Sequence, residues 1–147
     1  MEFKNRRLFM KKVLIVAPHP DDETIGCGGT ILSHKSKGHK VYQLIMTQMS
    51  RKHGWTNKKI IARKKEIKKV SAVYKFSNIY QLNFPTCRLD SIPFENLINE
   101  TFKIIKKINP EIIYMPCHLD VHTDHQITAK VIQACIKWFR IPSIKKV

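Results

Sequence analysis

Residues 11–23 read KKVLIVAPHPDDE, a short apolar run that ends at a proline and passes directly into a His/Asp/Glu cluster. The run VLIVA at 13–17 lacks alternation of apolar and polar residues, which is typical of a strand buried on both faces of a sheet. Acidic residues after such a strand are typical of the first turn of a helix, where they favour the positive end of its dipole. This stretch predicts a central β-strand followed by a helix.

The rest of the chain continues this alternation. Short runs rich in β-branched residues predict strands, and apolar residues at helical spacing predict the helices between them. The predicted strands are 13–17, 40–47, 78–83 and 111–115, and the predicted helices are 23–36, 58–76, 94–108 and 124–139. This order predicts an α/β fold, with one Rossmann-like parallel sheet and helices on both faces.

Length and composition indicate one domain. A chain of 147 residues with 43% apolar residues can form one buried core. We expect residues 1–10 to be an N-terminal extension and residues 11–147 to form the domain. Lysines interrupt the N-terminal apolar stretch, which argues against a signal peptide, and no apolar run is long enough to span a bilayer. The four cysteines form no CxxC pair, which favours a reduced, cytoplasmic protein.

The formal net charge of +16 comes from lysines spread over several segments. It fits either a solvated lysine-rich surface or attraction to an anionic partner. The lysines are not interleaved with aromatic residues, so we expect no nucleic-acid partner. A basic module that binds an anionic surface stays an alternative function.

Two clusters of metal-binding residue types follow the first and fourth predicted strands. They are HPDDE at 19–23 and HLDVHTDH at 118–125. In an open α/β sheet, ligands bind beyond the carboxyl ends of the strands where the strand order reverses, and in the common order this lies between the first and fourth strands. We therefore expect the two clusters to face each other.

Such a pair of clusters suits a catalytic zinc site, which needs about three His, Asp or Glu ligands and an open position for water. His19 and Asp22 can face one point across the predicted turn, and His125 can supply the third ligand. Asp21 is then free to take a proton from the attacking water. His122 is free to bind the oxyanion or to protonate the leaving amine. Since a metal polarises a carbonyl and activates water, the set indicates amide hydrolysis.

Each cluster also has a purely structural interpretation. The first could be a turn with an acidic helix N-terminus, and His122, Asp124 and His125 could cap the last helix. We read Cys117 and His118 as walls of the site. Three further histidines have no partners in the clusters and are expected at the surface: His34, His39 and His53.

Four motifs have counterparts in one known family. Residues 11–31 include an AHPDDE-type motif, with Pro18 in place of its leading alanine, and residues 116–125 match the pattern P-x-x-x-D-x-H-x-D-H. Residues 61–66 and 84–97 carry weaker matches. The chain resembles the PIG-L/LmbE-like family of zinc-dependent N-deacetylases over nearly its whole length. The first and last motifs are highly specific.

The resemblance implies that His19, Asp22 and His125 bind zinc, that Asp21 is the general base and that His122 stabilises the tetrahedral oxyanion. Further roles follow from the same resemblance. It implies that Asp124 orients a neighbouring histidine, and that Arg63 and Asp90 contact the substrate. The implied substrate is an N-acetylated amino-sugar conjugate of the glucosamine type. Gly26, Gly28 and Gly29 do not form a GxGxxG motif, so we expect no dinucleotide cofactor. We assign them to close helix-to-sheet packing and to room near the metal.

Two alternatives concern the enzyme itself. Members of the family usually continue into a further strand where this chain ends, which raises the possibility of a weak or inactive, C-terminally shortened member. A non-haem iron enzyme with Fe²⁺ on His19, Asp21 and His125 has the same ligand types, although such enzymes generally use jelly-roll sheets. The sequence does not indicate the oligomeric state.

Overall fold

The computed structural model describes residues 10–137 and 139–147 of the chain. The predicted α/β alternation is confirmed within them. The strands are β1 (Lys12–Ala17), β2 (Lys40–Gln48), β3 (Asn78–Pro85) and β4 (Ile112–Tyr114). The helices are α1 (Asp22–Ser36), α2 (Asn57–Tyr74), α3 (Phe94–Ile108) and α4 (Thr123–Cys135), with short 3₁₀ helices at Arg51–His53 and Leu89–Ser91. The predicted extension at 1–10 lies outside the described residues except for Met10, and stays a prediction.

The four strands form one parallel sheet in the order β3-β2-β1-β4. On one side of β1, Lys12 lies opposite Lys40 of β2; on the other, Val13 lies opposite Ile112 of β4. The chain therefore moves outward from β1 through β2 to β3 and then returns to the opposite side for β4. The predicted reversal of strand order between β1 and β4 is confirmed.

Helices cover both faces of the sheet. The larger core cluster joins the strands to α3 and α4 through Leu14, Leu44, Ile105 and Ile132. The smaller cluster joins them to α1 and α2, and contains Val13, Ile15, Val41, Ile31 and Tyr74. Successive residues of β1 point to opposite faces, and both faces are buried, which explains why its sequence shows no polar alternation.

The C-terminal segment returns to the free side of β4. Lys146 forms a parallel bridge with Ile112, and its carbonyl accepts a hydrogen bond of 3.0 Å from the N–H of Ile113. This bridge is isolated and lies outside the four strands. Among the described residues, no helix combines the length and the apolar character required to cross a membrane.

Two predicted helices are shorter than expected. The last one ends at Cys135 and not at 139; Phe139 lies in a turn, and Trp138 lies outside the described residues. Its apolar spacing continues past Cys135, but the chain has to turn back toward β4, and Pro142 follows closely. The second helix ends at Tyr74 because Lys75 adopts a left-handed conformation, with φ 52°.

One of the glycines allows a close approach between helices. A Cβ on Gly28 would lie 2.8 Å from the hydroxyl oxygen of Tyr74 on α2, whereas Gly26 and Gly29 face open space. The helix-to-sheet part of the expected role is therefore wrong, whereas Gly26 lines a cavity together with Asp22 and His125. The close contact joins α1 to α2 and concerns Gly28.

His34 is buried, so its predicted surface position is wrong. Its Nδ1 lies 2.7 Å from Nδ1 of His39, and its Nε2 lies 3.0 Å from the hydroxyl of Tyr114 on β4. The sequence could not show this contact because 80 residues separate His34 from Tyr114. Burial and the neighbouring Lys37 and Lys11 lower the pKa of His34.

This histidine pair predicts a loss of stability in mild acid. Burial and the charges of Lys11 and Lys37 lower the pKa of His39 as well, although Glu111 opposes the shift. At these two histidines the unfolded chain therefore binds more protons than the folded chain as the pH falls below about 6.5, and their contribution to stability decreases. Urea unfolding at pH 6.5 and pH 5 should show a smaller decrease for a His34→Asn/His39→Asn variant than for the wild type. A His53→Asn variant, changed outside the pair, should keep the wild-type decrease; an equal decrease in the double variant would contradict the assignment.

Candidate active site

The turn after β1 and the loop after β4 meet beyond the carboxyl ends of the two strands. Asp22 begins α1, and one of its oxygens, Oδ2, lies 3.3 Å from Nδ1 of His19 and 3.3 Å from Nε2 of His125. One donor atom from each residue falls within 4.8 Å of the other two. The expected convergence of the two clusters is confirmed.

These distances fit a zinc ion. Two donors bound to one tetrahedral zinc at 2.0–2.2 Å stand about 3.4 Å apart, close to the two measured separations of 3.3 Å. Two imidazoles and one carboxylate leave one tetrahedral position open for water. Fe²⁺ accepts the same donor types, but the iron alternative used Asp21 as its carboxylate. Asp22 occupies that place in the described group, so this ligand assignment is wrong.

Each histidine of this group is held by a second carboxylate. His19 Nε2 lies 2.9 Å from Asp124 Oδ2, and His125 Nδ1 lies 3.0 Å from Asp120 Oδ2. Such bonds select the ring nitrogen that faces a metal and fix the plane of the ring. The family resemblance implied that Asp124 orients a neighbouring histidine, and the histidine that it contacts is His19. The pairing of Asp120 with His125 was missed; its signal was the first aspartate of the P-x-x-x-D-x-H-x-D-H pattern at 116–125.

Asp124 also connects the site to the loop after β3. Its Oδ2 accepts a hydrogen bond of 2.7 Å from the N–H of Cys87, and its Oδ1 accepts one of 3.0 Å from the N–H of Leu89. The side chain is only 1% exposed. All of its bonds are therefore made inside the protein, and it joins three segments of the chain.

The electrostatics of the cluster favour a cation. Burial tends to lower the pKa of His19, but hydrogen bonds with Asp124 and Asp22 outweigh it and raise the pKa to about 9. Burial tends to raise the pKa values of Asp22 and Asp124, but their hydrogen bonds with His19 hold both below the usual range. In the metal-free protein a proton on His19 therefore supplies the positive charge between two carboxylates.

Asp21 lies at the mouth of the site, outside the donor group. Its φ of 125° is strained for a residue with a side chain, and its carboxylate does not cap α1. The buried Glu23 accepts a hydrogen bond of 3.1 Å from the N–H of Asp21 and so helps to hold this backbone. The carboxylate is 53% exposed and lies 3.5 Å from Nη1 of Arg63, which also donates to the carbonyl of Pro20 at 3.0 Å.

His122 caps α4 and also faces the two metal-site histidines. Its Nδ1 accepts a hydrogen bond of 3.1 Å from the N–H of Asp124, so the proton of the neutral ring lies on Nε2. The centre of its ring is 4.8 Å from that of His19 and 4.9 Å from that of His125. The structural interpretation as a helix cap therefore holds for His122, and it leaves an N–H donor beside the donor group.

The loop after β3 brings a cysteine that the sequence did not indicate. Cys87 has a φ of 58°, is exposed, and places its Sγ 4.0 Å from Nε2 of His122. Three residues further on, Asp90 is exposed on the 3₁₀ helix Leu89–Ser91. The predicted contact of Asp90 with substrate stays a prediction.

Cavities open on both sides of the donor group. One of about 240 Å³ is lined by residues that include His19, Asp21, Trp55, Arg63, Cys87 and His122. The other, of about 480 Å³, is lined by residues that include Asp22, Tyr114, Cys117, Asp120 and His125. The smaller cavity is lined by the carboxylate of Asp21, the guanidinium of Arg63 and the N–H donor of His122. These three groups can therefore contact one ligand there.

A model of the PIG-L family, described as GlcNAc-PI de-N-acetylase, matches residues 14–136. The chain belongs to the PIG-L family. The matched range includes both motifs that meet at the donor group. The family resemblance stated from the sequence is therefore confirmed.

Named relatives of this PIG-L chain include two curated proteins. It is 31% identical over 138 residues to diacetylchitobiose deacetylase of Thermococcus kodakarensis, covering 86% of this chain and 50% of that protein. It is 31% identical over 131 residues to a probable N-acetyl-alpha-D-glucosaminyl L-malate deacetylase 2 of Bacillus cereus, covering 83% and 59%. The chain thus spans between half and three fifths of the length of these relatives.

A solved structure supports the same grouping. The N,N'-diacetylchitobiose deacetylase of Pyrococcus horikoshii, complexed with its inhibitor MPG, superposes with a TM-score of 0.76 at 26% identity. The match covers 97% of this chain and 55% of that one.

Proposed function

We propose that this PIG-L chain is a zinc-dependent hydrolase that removes an N-acetyl group from a glucosamine-type sugar conjugate. The observation that carries the proposal is the group His19, Asp22 and His125. Both histidine nitrogens lie 3.3 Å from Asp22 Oδ2, as on one tetrahedral ion, and all three donors lie within 4.8 Å of one another. The names of the curated relatives support the reaction class and the sugar.

In this proposal His19, Asp22 and His125 hold the zinc ion. When bound, the metal supplies Lewis acidity toward the acetyl carbonyl and lowers the pKa of water. Asp124 and Asp120 keep the correct ring nitrogens of the two histidines directed toward the ion, through the bonds of 2.9 and 3.0 Å.

Asp21 is proposed as the general base. It is exposed at the mouth, is not used as a helix cap, and lies next to the donor group in the chain. It takes a proton from the attacking water and returns that proton to the nitrogen of the leaving amine. The products are then acetate and a free amino sugar. Arg63 holds the carboxylate at the mouth through its contact of 3.5 Å.

His122 is proposed to stabilise the oxyanion. The hydrogen bond that Nδ1 accepts from the N–H of Asp124 leaves Nε2 as the donor, so the ring can donate to a carbonyl oxygen as negative charge develops on it. Arg63 and Asp90 are proposed to contact the sugar. Arg63 lines the same cavity as His122, whereas Asp90 lies on the neighbouring loop.

A cytoplasmic location is part of the proposal. It is supported by the four cysteines of the chain, none of which forms a disulfide: Cys27, Cys87, Cys117 and Cys135. Free thiols persist in reducing compartments.

The experiment is an acetate-release assay on the purified chain with zinc, using N-acetylglucosamine conjugates that include diacetylchitobiose. We expect one zinc per chain by elemental analysis, and acetate release that chelation abolishes and added zinc restores. A His125→Ala variant should lose both the bound zinc and the activity. His118→Ala is the matched control and should keep both. His118 was expected as a wall of the site, but it is exposed and lines neither of the two cavities beside the donor group.

Two results would contradict the proposal. One is full zinc occupancy with no acetate released from any of the conjugates. The other is co-purification of iron with oxygen consumption, which would favour the non-haem iron alternative.

A further inference from the structure

Cys87 has no part in the proposed hydrolysis, but it is held next to His122 and Asp124, which do take part. Its thiol is exposed in the mouth and lies 4.0 Å from Nε2 of His122. Its backbone is held in a left-handed conformation, with φ 58°, and its N–H donates to buried Asp124 at 2.7 Å. The thiol therefore projects from an anchored position.

The surroundings of this thiol have the geometry of a cation site. A sulfur at about 2.3 Å and a nitrogen at about 2.0 Å on one tetrahedral ion stand about 3.5 Å apart. Cys87 Sγ and His122 Nε2, now 4.0 Å apart, therefore need to approach by about half an ångström. Donor atoms of His19, Cys87 and His122 all lie within 4.8 Å of one another.

This group faces a different side of His19 from the proposed catalytic zinc. Asp124 Oδ2 contacts both the backbone N–H of Cys87 and Nε2 of His19, so the backbone of Cys87 lies near the Nε2 side of that imidazole. Asp22 lies on its Nδ1 side, at 3.3 Å. The two groups share His19, but they do not occupy the same place.

We propose that Cys87, His122 and His19 form a second, inhibitory cation site that selects thiophilic divalent ions, such as Cd²⁺ or excess Zn²⁺. The inhibitory effect of this site rests on the proposed hydrolysis, whereas the binding of the ion does not depend on that proposal. A thiolate ligand favours such ions over Mg²⁺ or Ca²⁺, which prefer oxygen. The bound ion removes His122 Nε2 from the oxyanion and draws His19 away from Asp124.

The protons balance in a simple way. The thiol proton of Cys87 and the Nε2 proton of His19, which Asp124 holds at 2.9 Å, pass to solvent as the sulfur–metal and nitrogen–metal bonds form. The ring proton of His122 moves from Nε2 to Nδ1, which breaks the cap bond from the N–H of Asp124. The metal–thiolate bond compensates for this single neutral hydrogen bond.

Binding is tested by titrating the full chain, metal-free and zinc-loaded, with Cd²⁺ while recording the ultraviolet charge-transfer band of Cd²⁺–thiolate. We expect the band in the wild type and in Cys117→Ser, which removes another exposed cysteine. In Cys87→Ser the band should be lost, because Cys87 supplies the only sulfur of the group. A band that Cys87→Ser leaves unchanged, or that Cys117→Ser removes, would overturn the site.

Inhibition is tested separately on zinc-loaded protein by acetate release, with each variant normalised to its own rate before Cd²⁺ is added. Cd²⁺ should inhibit the wild type and Cys117→Ser, and Mg²⁺ should inhibit neither. Cys87→Ser should resist Cd²⁺. If Cd²⁺ binds at Cys87 without slowing hydrolysis, the inhibitory role is overturned; if the chain hydrolyses no conjugate, the absorbance titration still decides whether the site exists.

Discussion

Replacing Asp21 with asparagine is expected to lower kcat for acetate release by about 10²–10⁴-fold, the usual contribution of a general base. Asparagine has nearly the same shape but cannot accept the proton of the attacking water. Because the carboxylate is 53% exposed and is not a member of the donor group, the variant should still fold and should bind zinc with the wild-type stoichiometry. The measurement is steady-state kinetics of the zinc-loaded variant, with bound zinc determined on the same sample.

Asp90→Asn is the matched control, since it makes the same change at an exposed aspartate on the neighbouring 3₁₀ helix. It should leave kcat unchanged, and a raised KM would support its proposed contact with the sugar. An Asp21→Asn variant that retains the wild-type kcat while carrying full zinc would exclude Asp21 as the base.

The fold was predictable because its information is local. The five residues after Lys12 are apolar without alternation, which is typical of a short strand covered on both faces, and β1 is such a strand. The stripe of apolar residues in α3 likewise predicted both ends of that helix, Phe94 and Ile108. The end of α4 was not predictable from local sequence, because it depends on the turn that leads the chain back toward β4. The spacing of apolar residues predicted an end at 139, but the helix ends at Cys135.

The meeting of the two clusters was predictable from topology. A parallel sheet whose order reverses between β1 and β4 necessarily brings the residues after those strands together. His19 and His125 follow those strands, and their ring centres lie 5.4 Å apart. This inference needed only the order of the elements, and no contact between side chains.

The outer contacts of the site were not predictable, because they depend on side-chain geometry between distant segments. The sequence does not show that Cys87 and Leu89 would donate to Asp124, 37 and 35 residues away. It likewise does not show which of two nearby aspartates supports which histidine. Asp120 pairs with His125, five residues on, whereas Asp124 reaches back 105 residues to His19.

The second large effect is expected from Asp124→Asn, which should lower the free energy of unfolding by about 3–5 kcal/mol, the usual result of breaking a buried ionic pair. The carboxylate is 1% exposed, contacts His19 and accepts two backbone N–H groups. Its pKa is lowered mainly by the bond to His19 against the effect of burial, so it is ionised in the folded chain at neutral pH. An amide nitrogen in its place would face a donor in a buried setting.

Asp120→Asn separates the metal-site role of Asp124 from its role in folding. Asp120 also supports a metal-site histidine, at 3.0 Å, but its side chain is 32% exposed. We expect both variants to weaken zinc binding by about 10–100-fold, and only Asp124→Asn to lose several kcal/mol in urea unfolding of the metal-free protein. Competition with a chromogenic chelator measures the zinc affinity. If Asp120→Asn binds zinc as tightly as the wild type, the carboxylate behind His125 does not tune the metal; if Asp124→Asn is as stable as the wild type, its buried bonds do not hold the loop after β3 to the site.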